Sequence, residues 1–372
     1  MAEGIVAGRR PGFYRPELDV LRFGAFLLVF IHHGFPLTAA EYSGWGIPPT
    51  LATLFASGAR AGALGVDLFF ALSAYLITEL LLREQRSHGK FNIRAFYARR
   101  ILRIWPLYYF ALLILLPLLG LALPADKMSA NFWLAFLFFG GNWACAWWNL
   151  YPTSLALLWS VSIEEQFYLV WPWMMRMFGS RLPLCCCGML AVTTMTRAFL
   201  IDRGGLTGMD ARIWTNTLAR LDPIAGGALL ALLLRGTVPK HTSLRRPLWI
   251  AGGGLALWIA GSVLKDPGWI WLATYPLAAA GCVAILYGSF APDGCRPSKT
   301  LIYLGKVSYG LYVFHVAAIR LVQTVHPSLA GPVVLVIAFA LTVAMATLSY
   351  RFLESPFLRL KNRFEYIGTR AV

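Results

Sequence analysis

The chain has 372 residues, of which 58% are apolar and only 13% charged, too little polar surface to cover two or three water-soluble domains of that total length. A mean hydropathy of +0.62 excludes a disordered chain, while 34 Gly beside 14 Trp, 15 Tyr and 24 Phe suits helices packed inside a bilayer with aromatic rings at its edges. The formal charge of +16 falls in short basic blocks between apolar runs, with no zinc-finger or RNA-binding signature, so it orients membrane loops and implies no nucleic-acid partner.

A spanning helix needs about 20 mostly apolar residues, because every backbone polar group must be paired within the segment. Ten stretches meet that requirement: 18–37, 61–82, 101–121, 155–175, 182–201, 217–234, 248–264, 269–290, 301–325 and 331–353. The run 132–139 is short and leads into Gly140, Gly141 and the uncharged aromatic stretch 143–151, so the segment near 131–151 is read as re-entrant or interfacial. The predicted fold is all-α: a polytopic membrane bundle of about ten transmembrane helices, forming a single domain over 1–372 with short cytoplasmic tails, 1–17 and 354–372. With ten spans the basic blocks 9–15, 83–103, 176–181, 235–246, 296–299 and 359–370 all fall on one side, which the positive-inside preference makes cytoplasmic in the cell's inner membrane. A signal peptide is disfavoured, because the first apolar run ends in His32 and His33. Cys185, Cys186 and Cys187 are consecutive, and Cys145, Cys282 and Cys295 are scattered without C-x-x-C spacing, so the cysteines read as packing residues.

Ionisable side chains inside spanning helices cost about 2.5 to 3.5 kcal/mol each on insertion scales, and they usually face a cavity. Arg22 and His33 are eleven residues apart, which brings them within about 20° of one helix face and separates them by about 16 Å of rise. His32 points about 80° away from that face. His33 is therefore either a working base or a hydrogen-bonding contact to a neighbouring helix. Depth along five helices brings His33, Asp67, Glu164, Glu165 and His315 to a similar level, and a shared polar pocket is expected if those helices are neighbours. At the other end lie Arg22 and then Arg94, Arg99, Arg100 and Arg103. Arginine forks suit phosphate oxygens; Arg94 reads as ordinary positive-inside charge, and Arg100 and Arg103 are spaced for one face. Arg351 and Glu354 are expected to pair at i, i+3 and brace the last helix.

Several of these residues stand in longer motifs: Tyr-Arg-Pro-Glu-Leu-Asp-Val-Leu-Arg ending at Arg22, followed by His33; Gly-Val-Asp-Leu-Phe-Phe-Ala-Leu-Ser-Ala-Tyr-Leu-Ile-Thr from Gly65; and the stretches 96–103, 158–168, 308–315 and 350–356, the last ending Arg-x-x-Glu-x-Pro. In combination they resemble the acyltransferase 3 family of membrane proteins, which transfer acyl groups, mostly acetyl, onto surface glycans such as lipopolysaccharides and exopolysaccharides. The resemblance covers nearly the whole chain. It implies that Arg22 and His33 are essential, that Arg100 and Arg103 help hold coenzyme A, and that Glu164 or Glu165 serves transfer; Arg22 and Arg99, in the same arginine cluster, are expected to bind the cofactor with them. Ala74 stands where the family usually has Gly, and Gly310 with Phe314 departs from its usual wording before His315. Longer members carry a soluble hydrolase-like domain, for which no counterpart is expected here.

The expected activity is membrane O-acylation, with acetyl-CoA as acyl donor and a glycan or glycolipid as acceptor. His33 takes the hydroxyl proton as general base, or itself carries the acyl group transiently. Glu165, Glu164 or Asp67 orients or steadies it, and Ser73, Tyr168 and His315 contact substrate. No metal is expected. A proton-coupled transporter or flippase is the rival class, since it too places His and carboxylates within helices.

Overall fold

The computed structural model describes residues 13–123, 128–149, 153–204, 210–237, 239, 245–264, 268–290, 297–327 and 331–367. Cys295 and Arg296, residues 150–151 of the expected re-entrant segment, 240–244 of the basic block and the ends of both tails lie outside them. The described residues form helices joined by short connections, with no strand among them.

The first helix, α1 (Pro16–Gly34), starts on a proline whose missing N–H costs nothing at a helix start. Two shorter helices follow, α2 (Ala39–Gly44) and α3 (Pro49–Ala61), leading into α4 (Gly65–His88), which stops at Gly89 in the left-handed region (φ 71°). Asn92 caps α5 (Ile93–Phe110) by accepting the Ala95 N–H, and α5 runs through a widened π turn, Ala111–Leu115, into α6 (Leu116–Ala122). The segment expected to be re-entrant or interfacial forms α7 (Ala130–Leu137) and α8 (Gly141–Trp148), each of eight residues and too short to cross a bilayer. Then come α9 (Trp159–Phe178), α10 (Leu182–Gly204), α11 (Ala211–Trp214), α12 (Asp222–Leu234) and α13 (Arg245–Val263). The last five are α14 (Trp271–Ser289), α15 (Lys299–Lys306), α16 (Ser308–Val325), α17 (Gly331–Ser349) and α18 (Ser355–Lys361).

Among the described residues, five helical stretches are long and apolar enough to cross a membrane: Pro49–His88, Ile93–Ala122, Ala156–Gly204, Gly268–Ser289 and Gly331–Phe364. The pair α15 and α16, bent by 73°, makes a sixth if it is one span. Helices also overlie the remaining stretches of the expected ten. Stretch Ala156–Gly204 contains two of them, α12 has only 13 residues, and α1 carries Glu17, Asp19 and Arg22 in its first two turns. The chain is thus a polytopic helical membrane protein, and the charged start of α1 belongs to the site described below.

Helices in a bilayer associate by close packing rather than by escape from water. Two glycines show how close. On α12, a Cβ at Gly227 would run into the Ala71 carbonyl of α4; on α15, one at Gly305 would run into the Asp19 carbonyl of α1. The second contact draws the charged start of α1 against α15, and α1 in turn packs on α4 and α16.

Candidate active site

One open cavity, enclosing about 1680 Å³ with its mouth included, is walled by four helices that each contribute a stripe of helical period. On α4 the stripe is Val66, Phe69, Phe70, Ser73, Leu76 and Leu80; on α5 it is Arg99, Arg100, Arg103 and Ile104. Helix α9 adds Ser160, Val161, Glu164 and Tyr168, and α16 adds Ser308, Tyr309 and Tyr312. The start of α1 supplies Leu18, Asp19 and Arg22, and the carboxyl-terminal end supplies Lys361, Glu365 and Ile367.

The mouth is cationic. Six basic side chains (Arg15, Arg22, Arg99, Arg100, Arg103 and Lys361) line the cavity against four carboxylates. Three of those carboxylates are held in ion pairs: Asp19 with Arg22 at 2.5 Å, Glu84 with Arg99 at 3.0 Å and Glu365 with Lys361 at 2.8 Å. The fourth, Glu164, accepts hydrogen bonds from the Ser73 hydroxyl (3.0 Å) and the Tyr168 hydroxyl (2.8 Å). Arg100 has neither an ion pair nor a hydrogen bond among the described residues; its guanidinium lies 5.6 Å from the Phe96 ring centre and 5.7 Å from that of Tyr168. A guanidinium steadied by two ring faces with all its N–H groups uncommitted is set to receive an anion.

Inward, the cavity ends at Tyr312, whose hydroxyl meets Ser160 Oγ at 2.7 Å and donates to the Leu157 carbonyl at 3.1 Å. The lining faces of α1 and α16 do not end there. One turn beyond Tyr312 stands His315, fully buried, and at the far end of α1 stands His33, exposed. Their rings are 5.0 Å apart, and His33 Nδ1 lies 3.2 Å from His315 Nε2 and 3.0 Å from the Val29 carbonyl. A carbonyl only accepts, so the proton of neutral His33 sits on Nδ1 and the lone pair on Nε2, which has no partner among the described residues. His32 turns away, its Nδ1 3.1 Å from the Ala59 carbonyl of α3.

The structure therefore divides the residues that the sequence grouped at one depth. His33 and His315 are together, and Ser73, Glu164 and Tyr168 share the cavity with Arg22, Arg99, Arg100 and Arg103. Asp67 and Glu165 join neither group. Asp67 is about 120° around α4 from Ser73 and receives a hydrogen bond from Arg220 at 2.8 Å on the opposite face. Glu165 is about 100° around α9 from Glu164 and accepts one from the Trp105 indole at 3.1 Å. Equal depth is not shared azimuth. The expected pair of Arg351 and Glu354 is also replaced: a π turn, Tyr350–Glu354, takes them off a common face, Arg351 lies over Phe352, and Glu354 accepts from Ser349.

Tyr312, Glu84 and Lys361 were not singled out in the sequence. Tyr312 had a readable signal, since it precedes His315 by three residues and so shares its face. Lys361 had none, because only the folding of the chain's end over α5 brings it to the cavity; that end is tied there by Arg99 donating to the Phe364 carbonyl (2.7 Å) and Asn92 to the Tyr366 hydroxyl (3.1 Å). Among the described residues no cluster of His, Cys, Asp and Glu is arranged to hold a metal ion.

Comparison with known proteins agrees with this architecture. The family model for the acyltransferase 3 domain matches residues 15–351. O-acetyltransferase OatA of Staphylococcus aureus strain NCTC 8325 is 28% identical over 371 residues, covering 92% of this chain and 57% of that protein. A putative O-acetyltransferase of strain MSSA476 is likewise 28% identical, over 375 residues, with the same coverage. The chain thus spans a little over half the length of these curated relatives. No solved structure matches it. From Arg15 at the cavity mouth to Arg351 beyond its wall, the chain belongs to the acyltransferase 3 family.

Proposed function

We propose that the protein is a membrane O-acyltransferase that moves an acetyl group from acetyl-CoA, bound in the arginine-lined cavity, to a hydroxyl of a glycan or glycolipid that approaches His33 at the opposite end. The observation that carries this reading is the alignment of the two sites: the faces of α1 and α16 that line the cavity continue, one turn past its inner limit, into the paired imidazoles. The names of the relatives, O-acetyltransferases, favour acetyl and a hydroxyl acceptor.

In this reading Arg100 grips donor phosphate, with Arg22, Arg99 and Arg103 beside it. The arm extends along Ser73, Glu164 and Tyr168 towards Tyr312. Because the cavity ends at that ring, swinging Tyr312 off Ser160 is the motion that opens the thioester to His33. The acceptor oxygen attacks the thioester carbonyl, the carbon–sulfur bond breaks, and the hydroxyl proton passes to His33 Nε2 and then to the departing thiolate. The same nitrogen can instead carry the acyl group, so the site serves a direct or a two-step transfer. Phe13 and Ile367, near the two ends of the described chain, line the same mouth. This supports placing both termini on the side that holds acyl-CoA, the cytoplasm, with the chain in the inner membrane.

The test uses membranes containing the full chain and acetyl-CoA labelled in its acetyl group. Wild type is expected to move label into the glycan fraction and release CoA thiol, and His33→Ala to lower both rates by about 100-fold or more, the usual contribution of a positioned base. Wild-type rates in that variant would overturn the assignment of His33. Uptake of a glycan or anion without CoA release would point instead to transport.

A further inference from the structure

His33 has a second partner whose chemistry is fixed from behind. His315 is fully buried on α16, packed against the neighbouring rings of Phe26 (5.9 Å) and Phe30 (6.4 Å) of α1. Its Nδ1 lies 2.6 Å from the Tyr312 carbonyl. A backbone carbonyl has no proton to give, so His315 in its neutral form must carry its own on Nδ1 and present a lone pair at Nε2. That lone pair faces His33 Nδ1 at 3.2 Å. Both groups around His33 Nδ1, the Val29 carbonyl and His315 Nε2, are thus acceptors, and each demands a proton there.

We infer that His315 is a positioning residue for transfer: it relays the acceptor character of the Tyr312 carbonyl to His33, holding that ring with its proton on Nδ1 and its lone pair on Nε2, turned to the open end of α1. The inference rests on the reading of His33 as the proton acceptor and adds to it a second acceptor, beside the Val29 carbonyl, that keeps Nε2 as the working nitrogen. With the opposite tautomer, His33 would set a lone pair against two others and offer an N–H where a base is needed. Once Nε2 has taken up a proton, the Nδ1–H still has both acceptors, so the cation is held as well as the neutral ring. The burial of His315 against two aromatic rings of α1 keeps the relay in register.

Two substitutions separate this role from simple packing. His315→Leu keeps bulk but removes the acceptor. His315→Gln places an amide oxygen close to the position of Nε2, and restores it. With labelled acetyl-CoA as substrate, His315→Leu is expected to lower kcat by about 10- to 100-fold while leaving KM for acetyl-CoA within about twofold, and His315→Gln to recover most of the loss. In protein labelled with ¹⁵N-histidine, with the His33 signals assigned through their loss in His33→Gln, wild type and His315→Gln should show the Nδ1-protonated form, and His315→Leu a mixture of tautomers. A His315→Leu variant that keeps wild-type kcat, while His33→Ala is inactive, overturns the inference and spares the reading of His33. A His33 tautomer unchanged in His315→Leu also overturns it. Wild-type transfer by His33→Ala removes the base, and the positioning role falls with it.

Discussion

Arg197, on α10 against α12, and Arg220, just before α12 and against α4, are wholly buried, and each faces a carboxylate. Arg220 donates to Asp67 at 2.8 Å and stacks over Trp214 (4.2 Å) and Tyr275 (5.0 Å); Arg197 forks onto Asp222, with Nη2 3.1 Å from Oδ1, and lies 5.2 Å from the same Tyr275 ring. Arg100, on the cavity wall, also has two aromatic rings beside it but no carboxylate within ion-pair distance among the described residues. The side-chain type and the aromatic company are the same, and only the counter-charge differs. Where a carboxylate accompanies the guanidinium into the interior, the pair is a brace between helices. Where it does not, the charge is left for something that comes from outside.

The sharpest way to break this contrast is to remove one partner of the brace. Asp67→Asn leaves Arg220 buried beside an amide, and the loss of a buried counter-ion typically costs about 3–5 kcal/mol; the expected result is a large fall in thermal stability of the detergent-solubilised protein. Replacing both partners, Asp67→Leu with Arg220→Met, removes the stranded charge and should restore most of that stability and the acetyl-transfer rate. A double variant that is stable but inactive would put Asp67 back into the chemistry. Next in size is Arg100→Gln. Since Arg100 braces nothing, stability should change little, whereas losing a charge-assisted contact worth about 1.5–3 kcal/mol raises KM for acetyl-CoA by about 10- to 100-fold. Arg100→Lys should recover only part, because an ammonium lacks the forked geometry. Unfolding in Arg100→Gln would show that this arginine, too, is structural.

How much of this could be read from the sequence depended on whether the question stayed within one helix. The common face of Arg22 and His33 follows from 100° per residue and survives in the structure as the stripe from the cavity to the exposed imidazole. The same arithmetic separates Asp67 from Ser73 and Glu164 from Glu165; grouping them by depth alone joined residues that face different neighbours. Relations between helices were not legible. Arg197 and Arg220 stand in no motif that announces a partner: Arg197 pairs across α10 and α12, and Arg220 reaches Asp67 where α12 closely approaches α4 at Gly227 and Ala71. The π turn, Tyr350–Glu354, that parts Arg351 from Glu354 likewise has no local signature.

The smallest effect is the one that tests the contrast within the cavity itself. Arg99 lines the same wall as Arg100, but its charge is answered by Glu84, whose other carboxylate oxygen accepts the Asn92 N–H at 2.7 Å. If counter-charge alone decides whether an arginine braces or binds, Arg99 should contribute little to donor affinity while paired and more once released. Arg99→Gln removes a neutralised cation but leaves the Glu84 carboxylate near the phosphates, so KM for acetyl-CoA should rise only about three- to fivefold, about 1 kcal/mol. Glu84→Gln keeps the Asn92 contact through its amide oxygen and leaves the guanidinium, still bonded to the Phe364 carbonyl, without its counter-charge, so KM should fall about two- to threefold. Combining the two substitutions should return KM near the wild-type value, with salt reducing both single-variant differences as the charges are screened. A Glu84→Gln variant whose KM rises instead would mean that the pair positions Arg99 for the donor, and that a bound carboxylate does not by itself retire an arginine from binding.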